Sequence, residues 1–290
     1  MTYVDDAFTK CKSALEITTT EQNFASAKHA DIRGVVRSSW QLDDDFLTGS
    51  YRRNTKTKKL KDVDIFVVID PAGPQAGLRD EHPSVVLAEL GKVLETKYSN
   101  VIADGFACTI KFSDDDDVAS FDVVPAFKRK GGGWEIPDAD RSSWISTNPK
   151  LHHEQSTKMN GRCDERFVPF VKMIKGINRH FGEPIAPSFL LEVMAHGLVD
   201  ADRQFGRYQD EITWFLASAA EQITDDWPDP AKIGPVVNGM MSAGDRRAAA
   251  QTLNEWQRIA EKAVRLEDAQ QDRAAVEEWK KLFGSRMPRP

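Results

Sequence analysis

The chain has 290 residues, of which 40% are hydrophobic and 29% charged, and its formal net charge is −6. That composition excludes a disordered polar chain, and the length suits one large domain or two small lobes. An acidic balance leaves polyanion binding to a local basic patch or a bound metal rather than to the global field.

No apolar stretch approaches the ~18 residues of a membrane helix. The polar segment from Met1 to Ala14 lacks the apolar region of a signal peptide. The three cysteines, Cys11, Cys108 and Cys163, are odd in number and widely spaced, so they suit neither a disulfide framework nor a zinc knuckle. The expectation is a cytoplasmic protein with no membrane segment and no zinc.

Helical periodicity opens the chain. Phe8, Cys11 and Leu15, then Ala25, His29, Ile32 and Val36, recur at three and four residues. The run Thr18-Thr19-Thr20 between them reads as a turn and N-cap. Asp43, Asp44 and Asp45 read as an exposed turn. Residues 62–69 form a short β-branched run that ends at Asp70-Pro71-Ala72-Gly73, a buried strand followed by a turn. An amphipathic helix is expected over 84–98 and strands over 106–112 and 119–127. Residues 114–117 would be the solvated tip between those strands, and 128–143 a loop. Strand signals stop near Leu151. Helices are expected over 167–180, 187–198, 210–223, 231–243, 244–266 and 270–283, with Gly284 as a stop. Trp279, Leu282 and Phe283 give the last helix an apolar face, and the six residues after Phe283-Gly284 should be mobile. The fold class is α+β, with an N-lobe over 1–150 and an all-helical C-lobe over 151–290.

The residues that suggest chemistry are Gly49-Ser50 and, after a basic loop, Asp62-Val63-Asp64. Strand side chains alternate, so Asp62 and Asp64 share one face, roughly 6–7 Å apart along the strand. Two carboxylates on one face repel, and a divalent cation is the usual remedy; Mg²⁺ takes hard oxygen ligands and keeps room for substrate phosphate. Gly49-Ser50 offers free backbone N–H groups and a hydroxyl for a phosphate. Asp122 is an acid inside the apolar run Phe121-Asp122-Val123-Val124 and is expected as the third ligand. Three carboxylates around two metal ions is an arrangement in which one ion activates a hydroxyl and the other clamps a triphosphate. Asp122 would also accept the hydroxyl proton. Taken singly, these residues read equally well as surface acids and a plain turn; only their conjunction points to catalysis.

Gly49-Ser50, Asp62-Val63-Asp64 and Asp122 together resemble the polymerase-β-type nucleotidyltransferase superfamily. Trp144-Ile145-Ser146-Thr147-Asn148-Pro149, the segment Phe170-Val171-Lys172-Met173-Ile174-Lys175 and Pro187-Ser188-Phe189-Leu190-Leu191-Glu192 resemble its cGAS/DncV-like branch, the CD-NTases. Glu278-Trp279-Lys280-Lys281-Leu282-Phe283-Gly284 is similar to the tail of bacterial members from CBASS anti-phage systems. The resemblance implies a two-lobed nucleotidyltransferase fold, a mixed β-sheet with helices in the N-lobe, a helical-bundle C-lobe and an active site in the cleft between them. It implies condensation of ATP, alone or with another NTP, into a cyclic di- or trinucleotide with release of pyrophosphate. Two Mg²⁺ ions, replaceable by Mn²⁺, would sit on Asp62, Asp64 and Asp122. Lys175 and Ser188 would contact the triphosphate and Phe189 would stack on a base. The implied partners are nucleotides and a CBASS accessory protein. The cysteine-rich zinc insertion of DNA-sensing animal relatives is missing, which argues against a nucleic acid activator.

Arg52, Arg53, Lys56, Lys58, Lys59 and Lys61 crowd the loop before Asp62. They read either as a steering patch for an anionic nucleotide or as a solvated loop. His152 and His153 are adjacent on a helix and point apart, so they do not suggest a metal pair. A synthase of linear oligonucleotides, an enzyme that extends RNA ends and a catalytically silent nucleotide-binding protein are the competing readings.

Overall fold

In a computed structural model, residues 2–112, 118–199 and 203–289 are described. In chain order the helices and strands are α1 (Tyr3–Leu15), α2 (Thr19–Ser39), β1 (Leu42–Leu47), α3 (Gly49–Arg52), β2 (Leu60–Ile69), α4 (Pro83–Glu95), β3 (Val101–Asp104), β4 (Ala107–Lys111), β5 (Val118–Lys128), β6 (Trp134–Asp138), β7 (Ser143–Thr147), α5 (Pro149–Arg162), α6 (Phe167–His180), α7 (Phe189–Leu198), α8 (Tyr208–Gln222), α9 (Ala243–Asp268) and α10 (Asp272–Phe283). They divide into two compact units. One contains Ile17–Glu154 and Ala231–Pro235; the other contains Met1–Glu16, Gln155–Pro230 and Val236–Pro290.

The first unit is built on a mixed sheet of order β1-β2-β5-β4-β3, with β6 on β5 and β7 on β6. β2 and β5 are parallel and the other pairs antiparallel. Alternation divides each central strand between two faces. Val63, Ile65, Val67 and Ile69 of β2, with Phe121, Val123 and Phe127 of β5, pack in one core with Ile32 and Val36 of α2 and Leu87 and Leu90 of α4. Phe66 and Val68 of β2 and Val124 and Ala126 of β5 turn to the opposite face, where Phe46, Trp134 and Ile136 cover them. Helix α2 starts at the expected place: the Thr18 hydroxyl accepts from the Glu21 N–H, and Glu21 reaches back to the Thr18 N–H. The other Glu21 oxygen accepts the Leu60 N–H at 2.9 Å, so the cap that starts α2 also fixes the first residue of β2.

The second unit is all helix, around a core that runs from Phe8 and Leu15 through Phe170, Phe215 and Trp256 to Trp279 and Phe283. Here the boundary expected at residue 150 needs correction. Val4, Phe8, Cys11 and Leu15 form an apolar stripe on α1 that is buried among the helical unit's side chains, so α1 packs with the C-terminal helices.

Other expectations change locally. Asp43, Asp44 and Asp45 lie in strand β1, not in a turn. The expected loop over 128–143 contains β6 and leads into β7. Residues 231–242 hold no helix, α9 starting only at Ala243: Pro228, Pro230, Pro235, Gly234 and Gly239 break the period. The buried Asn238 pins the adjoining turn instead, accepting the Trp227 N–H at 3.0 Å and donating to the carbonyls of Asp225 and Ile223. The tail beyond α10 is not loose at Met287, which is 1% exposed in the helical core. The expected hairpin tip over 114–117 lies outside the described residues.

Candidate active site

Asp62 and Asp64 stand on the same sheet face as Phe66 and Val68, the face away from α2 and α4. That face is sealed along the second half of β2 by Phe46, Trp134 and Ile136, while the first half carries the two acids. Parallel pairing sets Asp64 opposite Asp122, and Asp62 opposite Ser120. Carboxylate oxygens of Asp62, Asp64 and Asp122 lie within 4.8 Å of one another. The strand spacing read from the sequence therefore does bring all three acids together, each half-buried.

Gly49 sits directly against this cluster, with Ser50 next to it in the chain. Thr48 donates its N–H to the Asp64 carbonyl at 2.9 Å, holding the turn on β2. Gly49 has φ +60, and a Cβ there would lie 1.7 Å from Asp64 Oδ2. Only glycine leaves room for the carboxylate, and only glycine takes this backbone conformation without strain. Ser50 is buried, and the turn continues into the short helix α3.

The electrostatics are those of acids held too close. Burial first, and the neighbouring Asp62 and Asp122 carboxylates second to Lys56's opposing charge, push the Asp64 carboxyl up to about 6. Asp122 is also raised, chiefly by burial, although the Thr109 hydroxyl opposes this by donating to Asp122 Oδ1 at 2.6 Å. Thr109 lies opposite Asp122 in the β4–β5 ladder. It was not singled out in the sequence; its signal is a polar residue on the acid-bearing face between the inward Cys108 and Ile110. Lys56 supplies the nearby cation, with Nζ 2.6 Å from Asp62 Oδ2. The basic loop is thus not uniform: Arg53, Thr55 and Thr57 are buried, Lys56 turns to the acids, and Lys58, Lys59 and Lys61 are exposed. Arg52 lines a separate cavity of about 450 Å³ with His29, Lys150 and His153.

This donor set fits divalent metal. Three carboxylates converge from adjacent strands, burial and mutual repulsion push Asp64 and Asp122 towards protonation, and the backbone beside them is kept free of a Cβ that would fill the space. Hard oxygen ligands of this kind could hold ions and polarise a phosphoryl group.

Lys175, Ser188 and Phe189 belong to the helical unit. Lys175 is 9% exposed, and its Nζ donates to Glu192 Oε1 at 2.7 Å. It is therefore a buried, paired lysine and not a solvated one. Ser188 precedes α7 as its N-cap residue, but its side chain makes no capping bond. Phe189, the first residue of α7, is half-buried.

A family model described as the Second Messenger Oligonucleotide or Dinucleotide Synthetase (SMODS) domain matches residues 1–160. The cyclic AMP-AMP-AMP synthase of Acinetobacter sp. (strain ATCC 27244 / 9458) is 26% identical over 304 residues, covering 96% of this chain and 83% of that protein. Among solved structures, the CD-NTase CdnG of Bradyrhizobium diazoefficiens in complex with GTP superposes with a TM-score of 0.77 at 16% identity, covering 99% of this chain and 97% of that one. CdnC of E. coli MS115-1 with ATP gives 0.74 at 16% identity over 98% of both chains, and in its complex with HORMA-deltaN gives 0.72 at 17% over 96% of both. At these identities the solved structures establish a common fold.

Proposed function

The chain belongs to the SMODS family, and from that premise we propose that it condenses ATP, alone or with another NTP, into a cyclic di- or trinucleotide and releases pyrophosphate. The observation that carries this reading is the convergence of Asp62, Asp64 and Asp122 beside a glycine that leaves Asp64 room. The three carboxylates would hold two Mg²⁺ ions, or Mn²⁺ in their place. Such ions, when bound, lower the pKa of an attacking hydroxyl and neutralise charge on a triphosphate. Asp62 and Asp64 hold the metal side of the site. Asp122, with its raised pKa, accepts the hydroxyl proton, and Thr109 keeps its carboxylate oriented. Gly49 and Ser50 present backbone N–H groups and a hydroxyl to the triphosphate. Lys175, Ser188 and Phe189 are assigned to the nucleotide as well, on the resemblance of their motifs; Lys175 would reach a phosphate only by sharing or leaving Glu192.

The relatives' names support cyclic products: one is a cyclic AMP-AMP-AMP synthase. We place the product in anti-phage defence signalling and, on the likeness to CdnC, infer an accessory protein as partner. None of the helices among the described residues is long and apolar enough to cross a membrane. The test is to incubate the protein with the four NTPs and Mg²⁺ or Mn²⁺, treat with phosphatase and identify products by mass spectrometry. A phosphatase-resistant cyclic species is expected, because ring closure leaves no terminal phosphate. Products that phosphatase trims would indicate a linear synthase. No turnover would indicate a silent nucleotide-binding protein.

A further inference from the structure

Lys56 is a close cation of the three acids, and the charge of Arg53 is also felt at Asp64. Lys56 Nζ lies 2.6 Å from Asp62 Oδ2, and the lysine side chain is only 12% exposed. It does not arrive there on a loose loop. Thr55, the residue before it, donates its N–H to the Ser50 carbonyl at 2.9 Å, and Leu60 is held by Glu21. Thr55 and Thr57 on either side are 1% and 6% exposed. Lys56 is therefore aimed between two buried threonines at the carboxylates, and its charge is felt at Asp64 and Asp122 too.

A divalent ion needs the same oxygens. An ammonium at hydrogen-bond distance from Asp62 occupies one of its lone pairs and repels an incoming cation. We propose that Lys56 is the built-in counter-ion of the nucleotide-free site, which a metal ion must displace before Asp62 can ligate it. Lys56 thereby holds down the metal affinity of the free enzyme. It is a positioning residue, acting through Asp62. This inference rests on the assignment of the three acids to metal.

The experiment measures Mn²⁺ binding to the nucleotide-free protein by the paramagnetic resonance signal of free Mn²⁺. It is run at about pH 8, well above the range in which raised carboxyls take up protons. Lys56→Met should bind Mn²⁺ about fivefold more tightly than the wild type, the worth of a partly exposed ion pair. Lys56→Arg, which keeps the charge, should stay near the wild type, and circular dichroism checks that each variant is folded. Mn²⁺ binding by folded Lys56→Met that is equal to or weaker than the wild type would overturn the proposal. Wild-type Mn²⁺ binding that survives Asp62→Asn with Asp64→Asn would overturn the metal assignment itself, and the role of Lys56 with it.

Discussion

Two groups of three aspartates lie on the same sheet, and the structure treats them in opposite ways. On β1, each acid has its own cation. Asp43 is 2.5 Å from Lys128 and Asp44 is 2.9 Å from Lys150. Asp45, only 5% exposed, accepts from Arg37 Nε at 2.9 Å with Arg33 and His29 nearby. On β2 and β5, Asp62, Asp64 and Asp122 share Lys56, with the charge of Arg53 also felt at Asp64, and the two more enclosed acids still have raised pKa values. The run of three adjacent acids is the more conspicuous in the sequence, yet it is a set of satisfied ion pairs. The spaced acids are the ones left short of charge. A cluster that the fold neutralises contributes to stability, and a cluster that it leaves unneutralised is available to a ligand.

The largest effect expected from this contrast is on chemistry at Asp122. Asp122→Asn keeps the shape and removes the proton acceptor, so turnover should fall by about 10²-fold or more while nucleotide binding persists. Rate measurements paired with equilibrium binding of a non-hydrolysable ATP analogue check this. A parallel fall in both would make Asp122 a binding ligand instead.

The β1 cluster should respond in stability. Asp45→Ala leaves the Arg37 guanidinium without its carboxylate and should cost about 2 kcal/mol in urea unfolding, with the arginines' exposure limiting the loss. The rate per folded molecule should be unchanged. An Asp45→Ala protein that is as stable as the wild type would remove the structural half of the contrast.

A smaller effect concerns pH. Asp64 titrates near 6 in the folded protein against an ordinary value of 3.8. At this group the metal-free folded state then holds its proton more tightly than the unfolded chain does between those values. The contribution of Asp64 to stability is greatest below the lower value and is lost as pH rises from about 4 to about 6, against the opposite contribution of carboxyls held low by partners, such as Asp31 and Glu278. The loss should be about 1 kcal/mol once the half-exposed site's solvent screening is allowed for. Unfolding in EDTA across that range should show this contribution as the difference in slope between the wild type and Asp64→Asn, the wild type losing more stability, or gaining less, as pH rises. An identical slope in the variant would mean that Asp64 is not the group responsible.

Much of this site was legible in the sequence because it depends on short-range rules. Alternation along one strand puts Asp62 and Asp64 on one face, and an acid in an apolar strand marks Asp122. The threonine run beginning at Thr18 marked the start of α2, while the bond from Glu21 to Leu60 joins residues 39 apart and has no local signal. Lys56 was visible only as one of six basic residues in a loop; which of them turns inward depends on the packing of Thr55 and Thr57. β1 was missed because three aspartates disfavour a strand by propensity, and partners from α2, β5 and α5 outweigh that preference. The helix expected over 231–243 failed because its period was read across prolines and glycines that favour turns.

The most direct measurement is pyrophosphate release from ATP with Mg²⁺, run side by side on the wild type, Asp62→Ala with Asp64→Ala, and Asp43→Ala with Asp44→Ala, each shown to be folded. The account predicts release by the wild type and by the β1 variant at similar rates, and none by the β2 variant. Release by the folded β2 variant, or its loss in the folded β1 variant, would contradict the assignment of catalysis to Asp62, Asp64 and Asp122.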